Sequence, residues 1–250
     1  MAAAGRENNG RGRLGSALSG VAVAVGFVLF LGGFIWGAVI YQPYTVPTDS
    51  MSPAVRAGDR VLAQRVDGDR VRRGDIVVFR DREWSDVLMV KRVVGVGGDT
   101  VACCGAGGRL TVNGEPVDEP YLSSGGPASA EKFTADVPDG QLFLLGDERT
   151  GSLDSRSRLQ EAGEGSVARS SVVGRLDAVA WPLPGEVLER PGGFARLPGG
   201  VSEVGPIRLI TSSVLLGAAL IVGGAAYGPV VERLARRAGG QGRGGAADAG

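Results

Sequence analysis

Two side chains in this sequence, Ser50 and Lys91, could together carry out nucleophilic chemistry on a carbonyl group. Ser50 lies in the segment 47–53, which begins and ends with proline, and prolines restrict the backbone enough to hold a hydroxyl in place. Lys91 lies in the middle of the apolar run 87–95, and burial of an amine disfavours its charged form. A neutral lysine can accept the proton of a serine hydroxyl and so activate that hydroxyl as a nucleophile.

Each of these segments also has a simpler interpretation, which the residues alone leave open. The serine segment fits a polar turn at the end of an apolar helix equally well. Lys91 fits a strand-edge lysine whose amine reaches water. A third segment, 146–156, is dense in small polar and charged residues, and it would either orient a neighbouring base or form a solvated turn.

The absence of histidine narrows the chemistry further. None of the 250 residues is histidine, which excludes a Ser-His-Asp triad, a Cys-His dyad and a histidine-ligated metal ion. We expect no metal and no cofactor, and the base must come from a carboxylate, a tyrosine, the amino terminus or a lysine. Only two of the 27 basic residues are lysines, Lys91 and Lys132, and arginine cannot be neutralised by burial in the way that lysine can.

Two apolar segments are predicted to anchor this chemistry to a membrane. Residues 21–40 contain no charge, and at about 1.5 Å per residue they match a hydrocarbon core of about 30 Å. This segment is longer than the apolar region of a cleaved signal peptide and lacks a clear cleavage site, which favours a signal anchor. Residues 209–227 are also uncharged but richer in glycine and alanine, so a second span is predicted, with a buried core helix as the alternative.

The flanking charges predict the orientation and the division of the chain. Arginines lie outside both apolar segments, which places both termini in the cytoplasm and the central domain outside the cell membrane: Arg6, Arg11, Arg13, Arg233, Arg236, Arg237 and Arg243. The predicted parts are a disordered tail (1–17), the anchor (18–41), an outer catalytic domain (42–183), a Pro/Gly-rich linker (184–206), a transmembrane helix (207–231) and a second tail (232–250). Formal net charge is zero, and nothing indicates a nucleic-acid partner.

The outer domain is predicted to be mainly β, as an all-β, barrel-like fold. Short β-branched runs alternate with turn clusters such as 97–99 and 113–114, and no convincing amphipathic helix interrupts them. A long exposed loop is predicted at 119–140. The predicted strands are 60–66, 75–80, 87–96, 100–102, 110–112, 141–145 and 172–181.

Taken together, the three polar segments resemble the conserved boxes of bacterial type I signal peptidases. The nucleophile box is matched by 47–53, the base box by 91–99 and the last box by 146–149 with 152–156, in the family's order. Weaker matches extend the resemblance over about residues 42–182, and the second span resembles some actinobacterial members. Two positions depart from the family: Asp49 stands where Gly or Ser is common, and Glu148 stands where Asn is common.

The resemblance implies a serine endopeptidase with a Ser-Lys dyad that removes signal peptides from secreted precursors. It implies Ser50 as nucleophile and Lys91 as base, with the Thr48 hydroxyl and the Ser50 N–H as the oxyanion hole. The implied supporting residues are Ser152 bonded to the lysine amine, Asp154 paired with Arg156, and Met51 in the wall of the site. The implied substrates are secretory precursors with small residues at the first and third positions before the cut.

Three other functions fit the sequence less well. A self-cleaving repressor would share the Ser-Lys chemistry but would carry a DNA-binding region. An inactive membrane scaffold would be expected to have lost Ser50 or Lys91, and a transporter subunit would need more spans. The adjacent Cys103 and Cys104 could form a vicinal disulfide or remain two thiols, and neither is expected to take part in catalysis.

Overall fold

The computed structural model describes residues 8–122, 127–161 and 163–241; for residues 8–14, 16 and 228–241 it describes the backbone alone. The chain divides into two compact units. One unit comprises Met1–Ala38 with Arg208–Gly250, and the other is Val39–Ile207. The second unit carries all the residues singled out above for their chemistry.

The helical unit is built from two long apolar helices, α1 (Asn8–Ile40) and α2 (Ile207–Gln241). Both contain a stretch long and apolar enough to cross a membrane, Ala17–Ile40 and Ile207–Tyr227. Small residues line their contact, since a Cβ added to Gly26 would lie 2.8 Å from the Gly217 carbonyl oxygen.

Both helices run further than the predicted spans. Helix α1 begins at Asn8, inside the predicted tail 1–17, and α2 continues to Gln241, inside the predicted tail 232–250. Each residue added to an existing helix forms a further hydrogen bond, so a long apolar helix extends easily into the flanking residues. The predicted orientation rests on arginines that lie outside the described residues, Arg6 and Arg243, or whose side chains are not described, Arg11, Arg13, Arg233, Arg236 and Arg237.

The second unit is a mainly β domain, which confirms the predicted fold class. Its strands are β1 (Tyr41–Thr45), β2 (Arg60–Gln64), β3 (Ile76–Arg80), β4 (Leu88–Val96), β5 (Thr100–Cys103), β6 (Thr111–Val112), β7 (Glu115–Pro116), β8 (Phe133–Asp136), β9 (Gln141–Leu145), β10 (Val167–Ala168), β11 (Val172–Trp181) and β12 (Glu186–Val187). The main sheet has the order β1-β2-β11-β3-β4-β9-β10, with β12 on β11, and the smaller sheet has the order β7-β6-β5-β8. Within the described residues both sheets stay open, so no closed barrel forms.

The predicted strands coincide with observed ones, but the sequence reading missed several short strands. The predicted loop 119–140 contains β8, which pairs with β5 from Thr100↔Asp136 to Cys103↔Phe133. A four-residue strand has too little alternation to stand out, and β8 is stabilised by a partner far along the chain. The apolar side chains of both sheets form three buried clusters.

Residues 184–206, predicted as a linker, form an ordered strap on the β domain, and this corrects the prediction. Phe194 is fully buried, and Leu188 and Leu197 are nearly so. Arg190 of the strap lies 3.1 Å from the carboxylate of Asp75 and also pairs with Asp177. The prolines and glycines of this segment allow tight turns. The segment is ordered because the apolar residues between those turns are buried against the β domain.

Candidate active site

Ser50 lies in a short 3₁₀ turn, Asp49–Met51, that begins four residues after the end of β1. Three hydrogen bonds hold this turn: Ser52 N–H donates to the Asp49 carbonyl at 2.9 Å, Ala57 N–H donates to the Asp49 carboxylate at 2.9 Å, and Glu148 N–H donates to the Ser50 carbonyl at 3.1 Å. The nucleophile segment is therefore fixed from both sides, by its own turn and by the loop that contains Glu148.

Lys91 lies on β4 in the middle of the main sheet, where it pairs with Val77 of β3. Its side chain is only 5% exposed. On the other side of β4, Arg92 pairs with Leu145, the last residue of β9. The loop that begins at Gly146 therefore starts beside the lysine, which explains how the third polar segment reaches the other two.

The structure brings the Lys91 amine and the Ser50 hydroxyl together. Lys91 Nζ and Ser50 Oγ lie 2.7 Å apart, within hydrogen-bond distance, although they are 41 residues apart in sequence. The Thr48 hydroxyl lies 3.3 Å from the same Ser50 oxygen. A base within this distance of a hydroxyl meets the geometric requirement for proton transfer.

The environment of Lys91 favours its neutral form. Burial lowers the pKa of the Lys91 amine to about 8, against the opposing effects of the Asp154 and Asp147 carboxylates and with a smaller contribution from Arg156. About one amine in ten is then neutral at pH 7, whereas an ordinary lysine would be almost wholly charged.

Asp154 and Arg156 form a close ion pair in the loop next to the amine. Arg156 Nη2 lies 2.8 Å from Asp154 Oδ2, which also accepts the Gly146 N–H at 2.9 Å. Gly146 is required by packing, because a Cβ there would lie 2.5 Å from the Ser50 carbonyl oxygen and 2.1 Å from Ser152 Oγ. The loop is thus pressed against the nucleophile turn.

A groove of about 450 Å³ opens over the Ser50–Lys91 pair. One wall is the edge of β4 with the preceding Val87, and the other is the segment from Val46 to Ser50. Glu148, Gly151 and Leu153 complete the lining. An extended peptide could lie between the two walls with its carbonyl groups near Ser50.

Comparison with known proteins identifies the family. Residues 18–181 match the family model described as signal peptidase, peptidase S26. The chain belongs to the S26 signal peptidases.

Individual relatives of this S26 peptidase agree with the match. It is 32% identical over 189 residues to signal peptidase I of Bacillus licheniformis, covering 71% of this chain and 94% of that one. It is 29% identical over 201 residues to the probable signal peptidase I of Mycobacterium leprae, covering 57% and 69%. A solved signal peptidase I from Enterococcus faecalis is 30% identical and covers 42% of this chain and 95% of its own, with a TM-score of 0.34.

The S26 peptidase contains a buried ionic cluster beside the dyad that the sequence reading did not assign. Arg92 binds Asp147 through two hydrogen bonds of 2.8 and 2.6 Å and lies 3.9 Å from the centre of the Tyr121 ring. Arg149 binds Glu119 with 2.6 and 3.0 Å contacts. Arg92 is the residue from which the cluster could have been predicted, because a charged side chain in an apolar strand needs a buried partner. The cluster ties the last loop of the peptidase to the segment that contains Glu119 and Tyr121.

Two predicted supporting residues of the peptidase do not lie as expected. Ser152 Oγ is buried and makes no hydrogen bond to any described group, so its predicted bond to the lysine amine is not formed. The amine contacts Ser50, and Ser152 packs against Gly146. Met51 is fully buried in an apolar cluster below the turn and does not line the groove.

Cys103 and Cys104 form a vicinal disulfide across a cis peptide bond in this peptidase. Cys104 Sγ contacts the Ser129 carbonyl oxygen at 3.7 Å, and neither cysteine lines the groove over Ser50. The part of the chain that the structure describes has no group of three acidic, cysteine or histidine side chains placed to hold a metal ion.

Proposed function

We propose that Ser50 and Lys91 are the catalytic dyad with which this type I signal peptidase cuts signal peptides from secreted precursors. The observation that carries the proposal is the 2.7 Å contact between a buried amine of lowered pKa and a serine hydroxyl at the floor of a groove. Membership of the S26 family supports the same assignment.

The proposed reaction is acyl transfer in two steps. Neutral Lys91 takes the proton of the Ser50 hydroxyl as its oxygen attacks the scissile carbonyl carbon. The bond to the leaving nitrogen then breaks, and Lys91 returns the proton to the new amine. Water attacks the resulting ester with Lys91 again as base, which releases the signal peptide acid and restores the serine.

The Thr48 hydroxyl and the Ser50 N–H are proposed to stabilise the oxyanion of each tetrahedral intermediate. Thr48 supports this role by its position, 3.3 Å from the nucleophile oxygen. One such donor typically contributes about 3 kcal/mol to catalysis. Asp154 and Arg156 are proposed as positioning residues, because their ion pair and the Gly146 bond shape the loop beside the amine.

The setting of the reaction is also proposed. Two spans would anchor the peptidase in the cell membrane, with both termini in the cytoplasm and residues 42–206 outside it. This location would give the peptidase access to precursors as they emerge from the membrane. The implied preference for small residues at the first and third positions before the cut fits a shallow groove. The membrane lipid and the precursor are the expected partners.

Incubation of the detergent-solubilised chain with a model secretory precursor tests the function. The expected result is a single cut at the end of the signal peptide, with none by Ser50→Ala purified in the same way. Cleavage by both proteins, or by neither, would refute the proposed role of Ser50.

The pH profile should follow the proton of Lys91. Only the neutral amine is a base, so kcat/KM should fall about tenfold per pH unit below the lysine pKa of about 8 and level off above it. The measurement uses a peptide without titratable groups between pH 6 and 9.5. A profile that stays flat from pH 9 to 6 would argue against a lysine base.

A further inference from the structure

The groove over the dyad is lined by more acidic than basic side chains. Three of its lining residues are ionisable, namely Asp49, Lys91 and Glu148. In the working form of the enzyme Lys91 is neutral, so the groove then holds two negative charges and no positive one.

Neither carboxylate is neutralised by a cation among the residues that the structure describes. Within the described residues, no lysine or arginine forms an ion pair with Asp49 or Glu148. Asp49 accepts the Ala57 N–H through Oδ1, and Glu148 accepts the Thr150 hydroxyl through Oε1. Each carboxylate is thus held in place through one oxygen, and its second oxygen makes no hydrogen bond to a described group.

Both residues line the groove beside Ser50. Asp49 precedes the nucleophile in sequence, and Glu148 N–H binds the Ser50 carbonyl at 3.1 Å. The wall formed by Val87 and the following residues of β4 is apolar as far as Lys91. A substrate charge that meets the carboxylates must therefore lie close to the scissile bond.

We propose that Asp49 and Glu148 make this peptidase prefer precursors with a lysine or arginine within two residues of the scissile bond. The inference rests on the proposed function of the groove, which the dyad defines independently of the carboxylates. Small residues are expected at the first and third positions before the cut. The basic side chain then belongs at the second position before the cut or at the first two positions after it.

The test is a set of otherwise identical peptides with lysine, glutamine or glutamate at each of these three positions. At pH 9 and low salt, we expect kcat/KM for lysine to exceed that for glutamate by about tenfold at one position at least, as two partly exposed carboxylates would produce. The ratio should shrink several-fold at about 0.5 M salt, because screening shortens the reach of exposed charges.

Asp49→Asn, Glu148→Gln and the double variant keep the shape of each side chain and one hydrogen-bonding oxygen. Each should reduce the lysine-to-glutamate ratio, and the double variant should bring it below about twofold. Glu115→Gln removes an equal charge from the exposed strand β7 of the smaller sheet and should leave the ratio unchanged.

Equal rates for all three peptides, with the glutamine peptide cleaved normally, would overturn the inference while the dyad stands. A lysine preference that persists in the double variant would also overturn it. Failure to cleave any peptide would overturn the proposed function and the inference together.

Discussion

Lys91→Arg is expected to lower kcat/KM for precursor cleavage by a factor of about 10³ or more. Arginine fills similar space and keeps the positive charge, but it does not lose its proton at any pH at which the protein is folded. The Ser50 hydroxyl would then lack the base that now lies 2.7 Å away, and general-base catalysis typically contributes 10²–10⁴-fold. The measurement is cleavage of a model precursor by the full chain in detergent.

The chain offers a matched control in its only other lysine. Lys132 is exposed, so Lys132→Arg should cleave at the wild-type rate. Ser50→Ala should lose activity to the same extent as Lys91→Arg, because nucleophile and base act as one unit. More than about a tenth of wild-type activity in Lys91→Arg, at any pH from 7 to 10, would exclude the neutral-lysine mechanism.

Asp177→Asn is expected to destabilise the β domain by about 3–5 kcal/mol. Asp177 is fully buried, accepts a hydrogen bond from the Tyr41 hydroxyl at 2.9 Å and pairs with Arg190 of the strap. Arg175 lies 3.7 Å away. Removal of the carboxylate charge would leave two buried guanidinium groups with Asp75 alone, and a broken buried pair typically costs this much.

The destabilisation should appear as a fall of about 6–20 °C in the midpoint of thermal unfolding. Tryptophan fluorescence of the full chain can follow it, since Trp84 and Trp181 both lie in the β domain. Asp139→Asn changes the same chemical group in an exposed turn and should shift the midpoint by less than about 2 °C. An equal midpoint for the two variants would mean that the strap is not held by this network.

The sequence allowed prediction of those parts that local pattern determines. Strands with clear apolar runs, such as β9 and β11, were predicted with the bounds that the structure has. The pairing of Ser50 with Lys91 was inferred from the resemblance of the three boxes, and the structure brings the two together through the contact of the turn Asp49–Met51 with β4.

The parts that were missed depend on partners distant in sequence. The strap was predicted as a linker because its prolines and glycines are visible locally, whereas its binding to Asp75 and Asp177 is not. The orientation of Ser152 depends on contact with Gly146, and β8 depends on β5. Residue types predicted the candidate chemistry, but tertiary packing determined which supporting groups reach it.

The strap also has a consequence for the order of events during synthesis. Ser50, Lys91 and Asp154 emerge from the ribosome before residues 184–206, and Asp75 and Asp177 remain without Arg190 until the strap has been made and docked. The nascent chain would therefore contain the residues of the candidate site before the buried carboxylates of the β domain are paired with Arg190. The β domain should therefore reach its full stability only after the strap has docked.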